Sequence, residues 1–215
     1  MSHKVHPKAF RIRSMEDWLS RWFEKKRYSQ TLKQDILIRD FLEKRLKDAA
    51  LENIEIERFP GKIRLLLSSA RPGIIIGRRG SGIEELRKAL KTALRKDAPL
   101  QATLELEIRE IKNPWESPSL SGQWIAQQLE KRMPARRVMK QALDRMMGNK
   151  AVEGARVEIS GRIGGADMAR RVWLQRGRLP RQTLRSIIDY ALKEAKTRYG
   201  TIGVKVWIYK GEKFE

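Results

Sequence analysis

Ala70-Arg71-Pro72-Gly73-Ile74-Ile75-Ile76-Gly77-Arg78-Arg79-Gly80 lies between two apolar patterns of different period. Before it, Ile63, Leu65 and Leu67 alternate as in a strand. After it, Ile83, Leu86, Leu90 and Leu94 recur at helical steps. A glycine pair enclosing two arginines therefore joins a strand to a helix. Glycine lets the backbone take φ > 0 and lets a ligand approach without meeting a Cβ. The helix that follows aims its free N–H groups and the positive end of its dipole at the gap, where a phosphate fits. Arg78 and Arg79 add charge and forked donors at the mouth. A Gly-x-x-Gly alone specifies only a turn. In this setting Gly77, Arg78, Arg79 and Gly80 form a candidate loop for gripping a nucleic-acid backbone.

Working outward, Leu32, Ile36, Ile38, Phe41, Leu42 and Leu46 predict a helix over residues 31–49. Ile54 and Ile56 begin a strand, Pro60-Gly61 turns it, and Ala102, Leu104, Leu106 and Ile108 mark a third strand. The order is helix, strand, strand, Gly-x-x-Gly, helix, strand. Upstream, residues 1–30 read as a basic, aromatic, extended arm with Phe10, Arg11, Arg13, Trp18, Trp22, Phe23 and Tyr28. Trp18 and Trp22 are open to two readings, core anchors or RNA contacts.

Asn113-Pro114-Trp115-Glu116-Ser117-Pro118 reads as a linker, with two prolines close together. A helix with Trp124, Ile125 and Leu129 follows, and Pro134 opens another with Val138, Met139, Ala142, Leu143 and Met146 on its apolar side. Strands are expected near 157–160 and 170–175, then a helix through Leu184, Ile187, Ile188, Ala191 and Leu192. A last strand carries Val204, Val206 and Ile208. The fold class is α+β, with domains over residues 31–112 and 113–215 and a small mixed sheet in the second.

The 215 residues carry 47 Lys and Arg against 26 Asp and Glu, a formal net charge of +21. Such a chain repels itself unless an anionic partner neutralises it, and nucleic acid gains affinity by releasing counterions. There is no cysteine, which excludes disulfides, cysteine-ligated zinc and a thiol nucleophile. The first residues lack the apolar core of a secretory signal, and no run is long enough to span a bilayer. The expected setting is cytoplasmic, with no membrane partner.

Arg136, Arg137 and Lys140 share one face of their helix, spaced to track successive phosphates of a strand. A solvated face is the alternative, and Asp144 one turn on blunts the patch. Ser160-Gly161-Arg162-Ile163-Gly164-Gly165 lacks the Gly-Lys-Ser/Thr of a nucleotide-binding loop and reads as a tight connection that frees Arg162 for a phosphate. Arg170, Arg171, Arg176, Arg178, Arg181 and Arg185 surround Trp173, a mixture suited to RNA. Catalytic signals are poor. The only histidines, His3 and His6, sit in the arm with no carboxylate cluster, so no metal, cofactor or small-molecule substrate is expected.

Several blocks together closely resemble a known family: His3-Lys4-Val5-His6-Pro7, the stretch Ala70–Gly80, Ser160–Ala166, Gly177-Arg178-Leu179-Pro180 with Thr183-Leu184-Arg185, and Tyr199-Gly200 followed by residues 202–208. The likeness is to the universal third protein of the small ribosomal subunit, in its bacterial form. It implies a type II K-homology domain, with a short helix just before the glycines, followed by a C-terminal domain that binds ribosomal RNA of the subunit head beside neighbouring head proteins. It places Arg136, Arg137 and Lys140 at the messenger entry channel, where they assist passive unwinding of messenger RNA. Ribosomal RNA contact is assigned to Arg162, Arg170, Arg171, Arg176, Arg178, Arg185 and Lys205. Asp144 departs from the family, which implies a neutral or basic residue there. Two other readings are a nuclease using the basic face, and a free regulator that binds messenger outside the ribosome.

Overall fold

The computed structural model describes residues 5–11, 18–95 and 103–214; His3, Arg13 and Ala102 lie outside the described residues. Contacts divide the chain into two compact units. One is Trp18–Lys112; the other runs from Asn113 and includes the described part of the arm.

The first unit comprises β1 (Ser20–Arg21), α1 (Tyr28–Arg45), β2 (Leu51–Phe59), β3 (Lys62–Ser69), α2 (Pro72–Ile76), α3 (Ser81–Arg95) and β4 (Thr103–Glu110). Its sheet has the order β1-β2-β3-β4 and is mixed. β2 and β3 form an antiparallel hairpin, while β1–β2 and β3–β4 are parallel. A parallel pair requires a long crossover; α2, the glycine loop and α3 supply it from β3 to β4. The helix-strand-strand-helix-helix-strand order of a type II K-homology domain is thus present, short helix included.

Alternation along β2 and β3 turns Ile54, Ile56, Ile63, Leu65 and Leu67 onto one face. There they meet Ile38 and Leu42 of α1 and Leu86, Leu90 and Leu94 of α3. Helix α1 begins earlier than expected, at Tyr28, and Leu32 and Ile36 face solvent. Ile36 is two residues from the buried Ile38, which places it about 200° around the helix. The buried stripe instead includes Asp35. Its carboxylate accepts from Arg58 Nε at 2.8 Å, Arg58 Nη2 at 2.6 Å and Trp22 Nε1 at 2.8 Å. Trp22 is therefore an anchor of α1, whereas Trp18 is two-thirds exposed. The expected arm is partly strand: Arg39 donates to the carbonyl of Leu19, the hydroxyl of Ser20 and the carbonyl of Ile54, tying β1 to the sheet.

The second unit comprises α4 (Pro118–Glu130), α5 (Ala135–Met147), β5 (Gly154–Gly161), β6 (Arg170–Gly177), β7 (Ser186–Thr197) and β8 (Gly200–Glu212). Ser117 caps α4, its hydroxyl accepting from the Leu120 amide, with Pro118 in the first turn. The sheet order is β6-β5-β8-β7. The helix expected through Leu184–Leu192 is instead strand β7. It pairs along almost its whole length with β8, so this sheet is antiparallel throughout, and the mixed sheet belongs to the first unit. Cross-strand pairing outweighs local periodicity here, since Ile187, Ile188 and Tyr190 all suit a pleated surface. Ala155, Val157, Ile159, Val204, Val206 and Ile208 face the two helices and form the core with Val138, Met139, Ala142 and Met146.

The described arm is docked on this second unit. Arg11 is buried, and its guanidinium donates to the backbone oxygens of Pro7, Arg181 and Thr183 at 3.0, 3.0 and 2.8 Å. Lys8 pairs with Asp189 at 3.4 Å, and His6 meets Tyr190 edge to face.

Candidate nucleic-acid interface

In the first unit the loop Gly77–Gly80 is shaped by backbone constraints. Gly77 has φ 69°, and a Cβ there would lie 2.8 Å from the amide nitrogen of Gly82. The loop can thus lie tightly against the start of α3 only because residue 77 has no side chain. Gly80 has φ 82° with open space around it. Between them Arg79 adopts a left-handed conformation, φ 51° and ψ 28°. Arg78 and Arg79 are exposed, and among the described residues neither has a carboxylate partner.

The outer face of the same sheet differs. Arg21 pairs with Glu55 and Glu57, Arg64 with Glu57 and Glu105, and Lys62 with Glu105 at 2.7 Å. The hydrogen bond from Lys62 holds the Glu105 carboxyl below its usual range. That face balances its own charge, so the unpaired cations around the motif are the ones a phosphate would meet.

In the second unit, α5 buries Val138, Met139, Ala142, Leu143 and Met146 and exposes Arg136, Arg137 and Lys140. These three have no carboxylate partner among the described residues. The expectation that Asp144 blunts this patch is corrected, because its carboxylate pairs with Arg176 of β6. The next residue, Arg145, lies over the rings of Trp115 and Trp124 at 5.1 and 4.9 Å, joining the linker to both helices.

The remaining nominated cations have varied settings. Arg162 is engaged within its own surface loop rather than free, donating to the Ala166 carbonyl at 3.0 Å and to Asp167 at 3.3 Å and lying over Tyr199. Arg171 lies 3.8 Å from Glu158, and Arg185 donates to Glu212 at 2.7 Å beside Phe214. Arg170 and Arg178 are exposed, and Lys205 is half-buried. The pairs of Arg162 and Arg185 are exposed enough to contribute little net stability, so phosphates can compete for these two cations at small cost, whereas Glu158, the partner of Arg171, is buried.

Two polar residues of this sheet escaped the sequence reading. Arg156 and Glu158 are buried and joined at 2.9 Å, with Arg156 stacked over Trp173 at 4.2 Å and near Trp207 at 5.6 Å. Their signal was available: both alternate with Ala155, Val157 and Ile159, which places them on the face opposite the helices. Arg181 reaches the same cluster, and its guanidinium pKa is lowered by burial and by Arg156. Among the described residues no three acidic or histidine side chains gather to hold a metal ion, and no helix is long and apolar enough to cross a membrane.

Comparison with known proteins adds family evidence. Residues 37–116 match the KH domain family, and residues 125–208 match the family described as ribosomal protein S3, C-terminal domain. The chain is 49% identical over 212 residues to small ribosomal subunit protein uS3 of Desulfovibrio desulfuricans, covering 99% of this chain and 96% of that protein. It is 44% identical to the uS3 protein of Persephonella marina, covering 99% and 92%. It is 46% identical to that of Caldicellulosiruptor saccharolyticus, covering 99% and 93%. With both units matched by their own families, and near-complete coverage of relatives at this identity, the chain belongs to the small ribosomal subunit protein uS3 family.

Proposed function

We propose that this chain is a non-catalytic, RNA-binding structural constituent of the small ribosomal subunit head. In this reading residues 18–112 and 113–215 are its two RNA-binding domains and residues 1–17 are the arm. The second domain binds ribosomal RNA and packs beside neighbouring head proteins. Helix α5 lines the path by which messenger RNA enters a translating cytoplasmic ribosome, and the loop Gly77–Gly80 grips a single-stranded backbone.

The entry-path assignment rests on one observation. Arg136, Arg137 and Lys140 stand exposed and without carboxylate partners among the described residues, on a helix whose opposite side is wholly buried. Cations fixed in this way can hold separated strands by their phosphates. No nucleotide site is needed, since translocation supplies the work.

The test is a chain carrying Arg136→Ala, Arg137→Ala and Lys140→Ala, assembled into small subunits. Assembly proceeds normally, and translation slows on messengers with stable hairpins far more than on unstructured ones. Equal slowing on both would refute the entry-path role.

A further inference from the structure

The Trp173 ring has one face covered by a fixed cation while the residue remains 50% exposed. Arg156 provides the cover, its guanidinium carbon 4.2 Å from the ring centroid. Arg156 is itself immobilised, being buried and paired with the buried Glu158 at 2.9 Å. A half-exposed indole backed by a pinned guanidinium is a rigid, flat surface that is already oriented. Hydrophobic burial does not account for it, because the core of this unit lies on the other side of the sheet.

The surroundings are cationic. Trp173 sits in the middle of β6, which is an edge strand. Arg171 shares its face two residues away, and the cross-strand row Trp173–Glu158–Lys205 brings a lysine onto the same face. Arg170 and Arg176 alternate onto the opposite face of the strand, where Arg176 meets Asp144, so the cations beside the indole are Arg156, Arg171 and Lys205. A protein partner here would have to be both acidic and apolar. A nucleotide offers a flat π surface and a phosphate together, which matches an indole flanked by cations.

We infer that Trp173 is a base-stacking platform, on which an unpaired nucleobase of RNA lies against the open indole face while Arg171 and Lys205 neutralise its flanking phosphates. This rests on the proposed RNA-binding role and adds to it a stacked, unpaired base at a named residue. Readout by stacking is tolerant of base identity, so the platform selects unpaired over paired RNA and not one base over another.

The experiment uses the full chain labelled with 5-fluorotryptophan, whose six tryptophans give separate fluorine signals. Trp173→Phe assigns the relevant one. Twelve-residue oligoadenylate and inorganic polyphosphate of equal charge are titrated in turn. The Trp173 signal shifts with oligoadenylate and stays nearly still with polyphosphate. In a background of Arg78→Asp and Arg79→Asp, which weakens the other site, Trp173→Leu lowers oligoadenylate affinity about fivefold or more. A Trp173 signal unmoved while oligoadenylate binds elsewhere would overturn the platform and leave RNA binding intact; the surface would then suit a protein neighbour. Equal shifts with both polymers, or an affinity loss below about twofold, would also overturn it. Absence of any binding to oligoadenylate would overturn both the platform and the RNA-binding role.

Discussion

Asp144 on α5 accepts a hydrogen bond from the Arg176 guanidinium on β6. The pair ties a helix to an edge strand and leaves Lys140, one turn earlier on α5, and Arg136 and Arg137, two turns earlier, without a compensating acid. Both side chains are at least half exposed. Asp144→Asn therefore costs less than about 1 kcal/mol of stability and makes unfolding less sensitive to salt. It also raises RNA affinity slightly by releasing Arg176. Urea unfolding at two salt concentrations, with filter binding in parallel, checks both effects. A fall in RNA affinity would mean that Asp144 positions the patch rather than leaving it free.

Glu158 gives the opposite expectation. It is 4% exposed and holds Arg156 at 2.9 Å. Glu158→Gln leaves a buried guanidinium without its counter-charge and destabilises the chain by roughly 3 kcal/mol. The double variant Arg156→Met, Glu158→Leu removes both charges and costs clearly less. Chemical denaturation of the two variants compares them. A double variant less stable than the single would show that the pair itself, and not its desolvation, holds this face.

The two motif glycines are expected to differ. Gly77→Ala meets the Gly82 amide at 2.8 Å in addition to an unfavourable φ, whereas Gly80→Ala faces only the φ penalty, about 1–2 kcal/mol. Thermal unfolding ranks Gly77→Ala as the more damaging. The reverse order would mean that the loop can move away from α3.

Tyr190 provides a pH signature. Burial, with the charge of Glu158 as a smaller contribution, raises its pKa above the ordinary value of 10.0. The folded state holds this proton more tightly than the unfolded state. The resulting stability is complete below pH 10.0 and is lost as pH rises through the folded value. Tyr190→Phe therefore loses less stability than the parent chain between pH 9 and 11, a window set by that same ordinary value. Urea midpoints across this range measure it, and parallel curves for the two chains would contradict the assignment.

Much of the architecture was legible because one period dominated each element. Ile63, Leu65 and Leu67 could only alternate, and Leu86, Leu90 and Leu94 could only be helical. The misreadings have specific causes. Leu184, Ile187, Ile188, Ala191 and Leu192 fit helical steps, and only the partner strand β8 decides for a strand. Strand β1 has two residues, too few for any period, and exists because Arg39 holds it. The burial of Asp35 has no signal in the local pattern, because its partners Arg58 and Trp22 reach it only on folding. The candidate cations were visible as residues, but their pairing was not: Arg162 and Arg185 are tied to acids, while Arg136, Arg137 and Lys140 have none among the described residues.

In the proposed role, fixed and uncompensated cations on α5 hold messenger RNA by its phosphates. Imaging a small subunit that contains this chain, stalled on a messenger with a downstream hairpin, tests it directly. Messenger phosphates are expected within salt-bridge reach of Arg136, Arg137 and Lys140. A messenger path that leaves α5 facing open solvent or another protein would contradict it.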